Sequence, residues 1–155
     1  MPATRSWAPA RSSSVADVAA EPVDSRAAVP APPPGALPRR VDKPWGHEEI
    51  WAHTDKYVGK ILQLETGKRL SFQYHEVKDE WIQVLSGRLL LTLENDSGVI
   101  EDRELGPGEG AHVPTGRRHR YTAIETCRMI EVSTPELLDV VRIEDDFGRE
   151  GTFKP

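Results

Sequence analysis

The sequence predicts an all-β domain, built as a jelly roll or a closed barrel, behind an extended N-terminal tail. From about Val41 onward, short stretches rich in apolar and β-branched residues follow one another. Turn-forming residues separate these stretches at roughly the 8–12-residue spacing typical of sandwiches and barrels. No long stretch with helical periodicity interrupts them. Short antiparallel strands in this number, within one small domain, favour a jelly roll or a closed barrel.

The strands are placed by their β-branched and apolar content and by the turn residues between them. They are predicted at residues 57–64, 70–75, 80–85, 88–94, 99–105, 111–113, 119–124 and 128–133. Ser86 and Gly87 are predicted to form a turn between the third and fourth of these strands. Residues 135–141 are predicted to form a short helical turn.

The tail and the folded part differ in composition. Residues 1–40 are rich in Ala, Pro, Ser and Arg and hold eight of the 13 prolines. Such a segment buries too little apolar surface to offset its ordering entropy, so we expect a disordered tail. Residues 41–155 are expected to form one folded domain.

Charge and cysteine content limit which partners and which cellular compartment we expect. The chain carries a net charge of -5, and its first 40 residues carry +2, so residues 41–155 carry -7. We expect no nucleic-acid partner, because phosphate contacts need a basic surface. No run of 18 apolar residues predicts a membrane span. Cys127 is the only cysteine, which fits a reducing cytoplasm.

Four polar residues could converge if the strands line one barrel. Gln73 and His75 are two apart on a predicted strand, so their side chains point to the same face. Glu80 opens the next strand, and His119 opens another after a Pro-x-Gly turn. Two imidazoles, a carboxylate and an amide oxygen form a plausible ligand set for a divalent metal ion.

The spacing of these residues resembles the paired signatures of the cupin superfamily. The first signature, G-x5-H-x-H-x3,4-E-x6-G, is met with every spacing kept by Gly67, Gln73, His75, Glu80 and Gly87, with glutamine at the first histidine. The second, G-x5-P-x-G-x2-H-x3-N, is met by Gly108, Pro114, Gly116 and His119, with Ala123 at the last position. The resemblance implies a double-stranded β-helix, the jelly-roll barrel of that superfamily. It also implies His75, Glu80 and His119 as metal ligands and Gln73 as a fourth.

Residues 43–149 resemble a narrower group, the phosphomannose isomerase type II-like domains of bifunctional mannose-1-phosphate guanylyltransferases. The resemblance rests on Gln-x-His in the first signature, on the opening Lys-Pro-Trp-Gly at 43–46, and on the closing 139–149 segment. It differs at Glu76-Val77, where related domains often carry a histidine-rich run. The nucleotidyl-transferase half of those enzymes has no counterpart in these 155 residues.

This resemblance implies an isomerase that interconverts mannose 6-phosphate and fructose 6-phosphate through an enediol. The implied cofactor is one divalent ion, with zinc, manganese, iron, cobalt and nickel left open. Lys60, Arg69 and Arg120 are the expected contacts to the sugar phosphate, and Lys60 and Arg120 the expected catalytic residues. Glu49 is a second suggestion for the base. A homodimer joined through an outer sheet is the assembly that the superfamily suggests.

Two other functions remain open on the sequence alone. Two histidines and one carboxylate also form the ligand set of non-haem iron oxygenases, although Gln73 argues mildly against that function. The domain could also bind a sugar or sugar phosphate without catalysis. Lys78, in the charged segment before Glu80, is expected to lie in a solvated turn.

Overall fold

A computed structural model describes residues 38–153, and within them every regular element is a β-strand. The ten strands are β1 (Arg39–Lys43), β2 (Gly46–His53), β3 (Val58–Leu64), β4 (Phe72–Tyr74), β5 (Glu80–Glu94), β6 (Ile100–Leu105), β7 (Gly110–Val113), β8 (His119–Ser133), β9 (Val140–Glu144) and β10 (Gly151–Phe153). The predicted all-β fold class is confirmed. The predicted disordered tail falls mostly on residues 1–37, outside the described part, and β1 begins at Arg39, inside the expected tail.

All strand pairings are antiparallel, and the sheet curls into a jelly-roll barrel. One path of hydrogen-bonded neighbours runs β1-β2-β3-β8-β4-β9-β10. Strand β5 lies off this path and pairs with β6, β7 and β8. Because β8 pairs with β3, β4 and β5, it connects the two parts of the barrel.

Two strands of 15 residues replace the four shorter strands predicted for these segments. Strands β5 and β8 pair along their whole lengths, and the pairing shifts register between Val84 and Leu89. Gly87 has φ +78° in this bulge, and a Cβ there would lie 2.1 Å from the carbonyl oxygen of Thr126. The predicted Ser86-Gly87 turn is therefore wrong, because the glycine allows a bulge that bends the strand without ending it.

The prediction of a helical turn at residues 135–141 is also wrong. Leu137 donates to the carbonyl of Pro135, and Asp139 donates to that of Glu136, so the segment forms tight turns. Val140 then begins β9, which pairs with β4 and β10. Strands β1, β2 and β10 were not predicted either, since their polar or short sequences carry little β-propensity.

The hydrophobic core fills the barrel interior with side chains from alternate positions of the long strands. It comprises Trp45, Leu62, Leu64, Ile82, Val84, Leu89, Leu91, Leu105, Ala111, Val113, Tyr121, Ala123, Cys127 and Met129. Cys127 is fully buried, and burial raises the pKa of its thiol to about 11. Among residues 38–153, no helix exists that is long and apolar enough to cross a membrane.

Candidate metal centre and cavity

A cavity of about 1330 Å³ opens in the barrel interior. Its walls come from strands β1 to β5, β8 and β9, from the turns around residues 135–139, and from the segment before β10. The volume is sufficient for a phosphorylated sugar, since pockets for small ligands usually measure about 300–1,000 Å³. The cavity is therefore a candidate ligand-binding site.

Three of the four expected metal ligands form one cluster, and two of the three, His75 and Glu80, line this cavity. His75 directly follows β4, Glu80 is the first residue of β5, and His119 is the first residue of β8. The nitrogen and oxygen atoms that these side chains offer all lie within 4.8 Å of one another, and each residue is at most 2% exposed. His75 Nε2 lies 3.5 Å from Glu80 Oε2, and His119 Nε2 lies 3.3 Å from Glu80 Oε1.

Backbone carbonyls orient both histidine rings. His75 Nδ1 is hydrogen-bonded to the carbonyl of Asp139, and His119 Nδ1 lies 2.9 Å from the carbonyl of Arg117. A carbonyl oxygen only accepts, so each Nδ1 carries a proton, and in a neutral ring Nε2 is then left with a lone pair. Both Nε2 atoms are buried and have no hydrogen-bond partner.

This arrangement fits a metal ion. Two lone pairs and a carboxylate face one another across 3.3–3.5 Å, which is unfavourable unless a cation or additional protons lie between them. Ligands at about 2.0–2.2 Å from a metal ion are separated by roughly 3 Å, close to these distances. The carbonyl partners at Nδ1 are also typical of metal-binding histidines. The cluster could therefore hold a divalent ion.

Glu80 is held ionised by its neighbours. Tyr121 donates a 2.7 Å hydrogen bond from its hydroxyl to Oε1, and the Lys78 ammonium donates to Oε2. Burial opposes the charge of Glu80, but its neighbours, above all the Lys78 ammonium, outweigh burial and hold the pKa of this carboxyl well below its usual value. Burial, together with the charge of Glu80, raises the pKa of the Tyr121 hydroxyl well above its usual value, so this hydroxyl remains a donor.

Lys78 belongs to this buried network, and the prediction that it lies in a solvated turn is wrong. Its ammonium bonds to Glu80 and, at 2.7 Å, to Glu131, and the residue is only 4% exposed. Burial alone would lower the pKa of Lys78, yet Glu131 and Glu80 outweigh burial and raise this pKa. Burial would raise the pKa of Glu131, but Lys60 and Lys78 lower it.

Gln73 lies beside the histidine cluster. It pairs with His119 across β4 and β8, and it is 9% exposed. Its Oε1 accepts a 2.6 Å hydrogen bond from the Ser71 hydroxyl, which leaves a second lone pair on that oxygen. The inward orientation expected for Gln73 and His75 is therefore present.

Of the three expected contacts to a sugar phosphate, only Lys60 lines the cavity. Its Nζ lies 3.4 Å from Glu131 Oε1 and 3.6 Å from Glu48 Oε2. Arg69 forms two 2.7 Å hydrogen bonds with Asp146 outside the cavity. Arg120 alternates with the inward-facing His119 and Tyr121 on β8, so it lies on the opposite face of that strand, where it is largely buried and pairs with Glu144 at 3.1 Å.

Several cavity residues were missed by sequence reasoning. Glu48 lines the cavity, whereas Glu49, the suggested base, points the other way and lies 3.7 Å from Arg128. Glu131 is two residues from Met129 on β8, so both side chains point to the barrel interior. A charged residue at a core-facing strand position could have indicated from the sequence that Glu131 belongs to the site. Arg142 and Glu136 also line the cavity. Glu136 lies in the segment predicted wrongly as a helical turn, and Arg142 lies on β9, which was not predicted.

Comparison with known proteins agrees with this architecture. Residues 60–133 match the cupin domain family. A curated relative from Escherichia coli K12, named mannose-1-phosphate guanylyltransferase, is 30% identical over 116 residues. The alignment covers 72% of this chain, and the chain spans only 23% of that relative's length. A xanthan biosynthesis protein, XanB, from Xanthomonas campestris strain B100 is 27% identical over 116 residues, covering 72% of this chain and 24% of that protein.

Solved structures show the same fold. The structure of KdgF from Halomonas sp. matches with a TM-score of 0.55 and 25% identity, covering 63% of this chain and 87% of that one. An oxalate decarboxylase variant from B. subtilis matches with a TM-score of 0.61 and 14% identity, over 69% of this chain and 30% of that one. The jelly-roll barrel expected from the sequence is therefore shown.

Proposed function

Residues 60–133 place this chain in the cupin domain family, and from that premise we propose that it is a metal-dependent isomerase of mannose 6-phosphate and fructose 6-phosphate. The observation that carries the proposal is the pair of unpartnered, buried Nε2 atoms that face Glu80, itself a residue of the cavity wall. The mannose phosphate in the name of the Escherichia coli relative supports the choice of substrate class.

The proposed ligands of the metal ion are His75, Glu80, His119 and Gln73. Zinc, manganese, iron, cobalt and nickel all suit such mixed nitrogen and oxygen ligands. When bound, the ion would act as a Lewis acid that stabilises negative charge developing on the substrate oxygens. Tyr121 and Lys78 hold Glu80 ionised and fixed in position for this role.

The reaction needs a group that carries a proton between C1 and C2 of the sugar. We assign this role to the pair of Glu48 and Lys60, which line the cavity within 3.6 Å of each other. Glu48 would accept the proton as the base, and Lys60 would hold the carboxylate in place and share its charge. Arg120 and Arg69 receive no role in this scheme, because their guanidinium groups are bound to Glu144 and Asp146 outside the cavity.

The test is coupled turnover of mannose 6-phosphate by the purified chain, before and after chelation, with metal analysis of the same sample. We expect turnover to be lost on chelation and restored by one metal. His75→Ala and His119→Ala should lose both the bound metal and the activity. His112→Ala is the matched control, since His112 is exposed and pairs with Asp79. A metal-free His75→Ala protein that still turns over substrate would disprove the mechanism.

A second candidate is a module that binds a sugar phosphate without converting it. One observation favours this candidate. Four ionisable residues of the cavity wall already form ion pairs with one another, which makes them less reactive as acids and bases: Lys60, Lys78, Glu80 and Glu131. Saturable binding of mannose 6-phosphate by calorimetry, with metal bound and no turnover, would select this candidate over the isomerase.

A further inference from the structure

Arg142 is an inward-facing cation on the wall of the cavity. On β9 it alternates with Val140, which lines the cavity too, while the intervening Val141 does not. Arg142 lies opposite Gln73 in the pairing of β9 with β4, and directly paired residues in a sheet project to the same face. The arginine therefore shares the interior with the candidate metal centre.

Arg142 is half-buried, and its guanidinium forms no ion pair with the described carboxylates. Its Nε is buried without a hydrogen-bond partner, and no carboxylate of residues 38–153 lies at ion-pair distance from it. Burial and the nearby Arg149 lower the pKa of Arg142, with Asp145 opposing them, but an arginine remains protonated at neutral pH. A half-buried cation on a cavity wall that forms no ion pair is available to bind an anionic ligand.

Among the described residues, the other cations on the cavity wall contact carboxylates, as Lys43 does at 3.2 Å from Glu48, except Arg39, which is exposed on β1. Lys60 and Lys78 contact Glu131, and Arg149 is bound through two hydrogen bonds, of 2.7 and 2.8 Å, to Asp145. The cavity also holds a carboxylate with a buried, unpartnered oxygen, Glu136 Oε2, which would repel an anion and accept a hydroxyl. Arg142 is thus the position on this wall that suits an anionic group.

The strand register indicates how far the anionic group of a ligand at Arg142 would lie from the ligand atoms that face the histidine cluster. Gln73 pairs with His119 on one side and with Arg142 on the other, so β4 separates His119 from the arginine, while His75 directly follows β4. Two strand spacings amount to roughly 10 Å between the backbones. This suits a molecule whose anionic group is several atoms away from the atoms that face His75 and His119.

We propose that Arg142 binds the phosphate of the ligand through its planar pair of N–H donors, while the rest of the sugar extends across Gln73 toward the histidine cluster. This inference rests on the proposed function for the identity of the sugar phosphate. It replaces Arg69 and Arg120 as the expected phosphate contacts. Arginine suits this role because its planar guanidinium can donate two parallel hydrogen bonds to two phosphate oxygens.

The experiment compares Arg142→Gln with Arg69→Gln, whose guanidinium lies outside the cavity. Binding of mannose 6-phosphate, unphosphorylated mannose and inorganic phosphate is measured by calorimetry on the metal-loaded full chain. We expect Arg142→Gln to weaken binding of mannose 6-phosphate by about 10- to 100-fold, the effect of losing charge-assisted hydrogen bonds. Its affinity for mannose should not change, and Arg142→Lys should fall between the wild type and Arg142→Gln.

Folding gives an independent check. Arg142→Gln should melt at the wild-type temperature or above it, because the variant loses a half-buried cation and breaks no ion pair among the described residues. Equal affinities of wild type and Arg142→Gln for mannose 6-phosphate, or no phosphate-dependent binding to the wild type, would overturn the inference. Phosphate-dependent binding that is lost in Arg142→Gln, without any turnover, would disprove the isomerase and leave the anion site standing. Turnover with an unchanged KM in Arg142→Gln would support the isomerase and disprove the anion site.

Discussion

The inward-facing positions of β5 and β8 differ sharply between the middle of each strand and the ends that reach the cavity. In the middle they are apolar, as with Val84, Leu89 and Cys127 around the bulge. At the cavity they are ionisable, as with Glu80 and Glu131. One barrel interior thus contains a close-packed core and a buried charge network.

The difference shows which part of the barrel serves the fold and which serves a ligand. Burial of apolar side chains stabilises the folded state in proportion to the area removed from water. Buried charges contribute little net stability even when they are paired, because desolvation consumes most of the attraction. A network such as Lys60, Lys78, Glu80 and Glu131 is therefore best explained by what it binds. Substitutions in each region test this contrast.

The largest loss of stability is expected from breaking the charge network on one side only. Lys78→Met leaves Glu80 and Glu131 with fewer cations in a dry site, so we expect the free energy of unfolding to fall by about 3–5 kcal/mol. Urea denaturation of the metal-free protein measures it, with the exposed Lys68→Met as control. The double variant Lys78→Met/Glu131→Leu should recover part of the loss. A stability of Lys78→Met equal to that of the wild type would show that the network is solvated.

A core substitution should cost a similar or smaller amount without touching the ligand site. Leu89 is fully buried against the core, and Leu89→Ala should lower the free energy of unfolding by about 2–5 kcal/mol through lost burial and a residual cavity. Metal content per folded molecule should remain at the wild-type level. Loss of metal from a folded Leu89→Ala protein would contradict the separation of the two regions.

The bulge at Gly87 lies in the apolar region, and substitution of this glycine tests whether the strand must bend there. Gly87→Ala places a Cβ against the Thr126 carbonyl in a left-handed backbone conformation. We expect a loss of about 1–3 kcal/mol, the range for a strained backbone position. Thermal melting measures it, and Gly98→Ala is the matched control because Gly98 has nearly the same φ, +77°, and its nearest neighbour to an added Cβ is a side-chain oxygen at 3.7 Å. Equal melting temperatures of the two variants would mean that the close approach at Gly87 carries no cost.

The fold class could be predicted because alternation and turn residues are local patterns. The three clustered residues were predicted from the resemblance to the two cupin signatures, which depends on the spacings from Gly67 to Gly87 and from Gly108 to His119. The buried position of Lys78 and the inward position of Arg142 could not be predicted in this way. Both depend on long-range contacts, with Glu131 across the barrel and with Gln73 on β4.

The smallest effect is expected at an ion pair on the outer surface, which contrasts with the buried pairs. The Arg118 guanidinium bonds to Glu94 at 2.7 and 3.0 Å and lowers the pKa of that carboxyl to about 2. A lowered folded-state pKa means that this contribution is present above pH 4.5 and is lost as the pH falls toward 2. Glu94→Gln should therefore melt slightly below the wild type at pH 7, by less than Gly87→Ala does, because solvent screens exposed pairs. The difference should vanish as the pH approaches 2, and an NMR titration of the Glu94 carboxyl gives its pKa directly. A Glu94 pKa near 4.5 would show that the pair does not persist in solution, and surface pairing would then add nothing to the stability of this barrel.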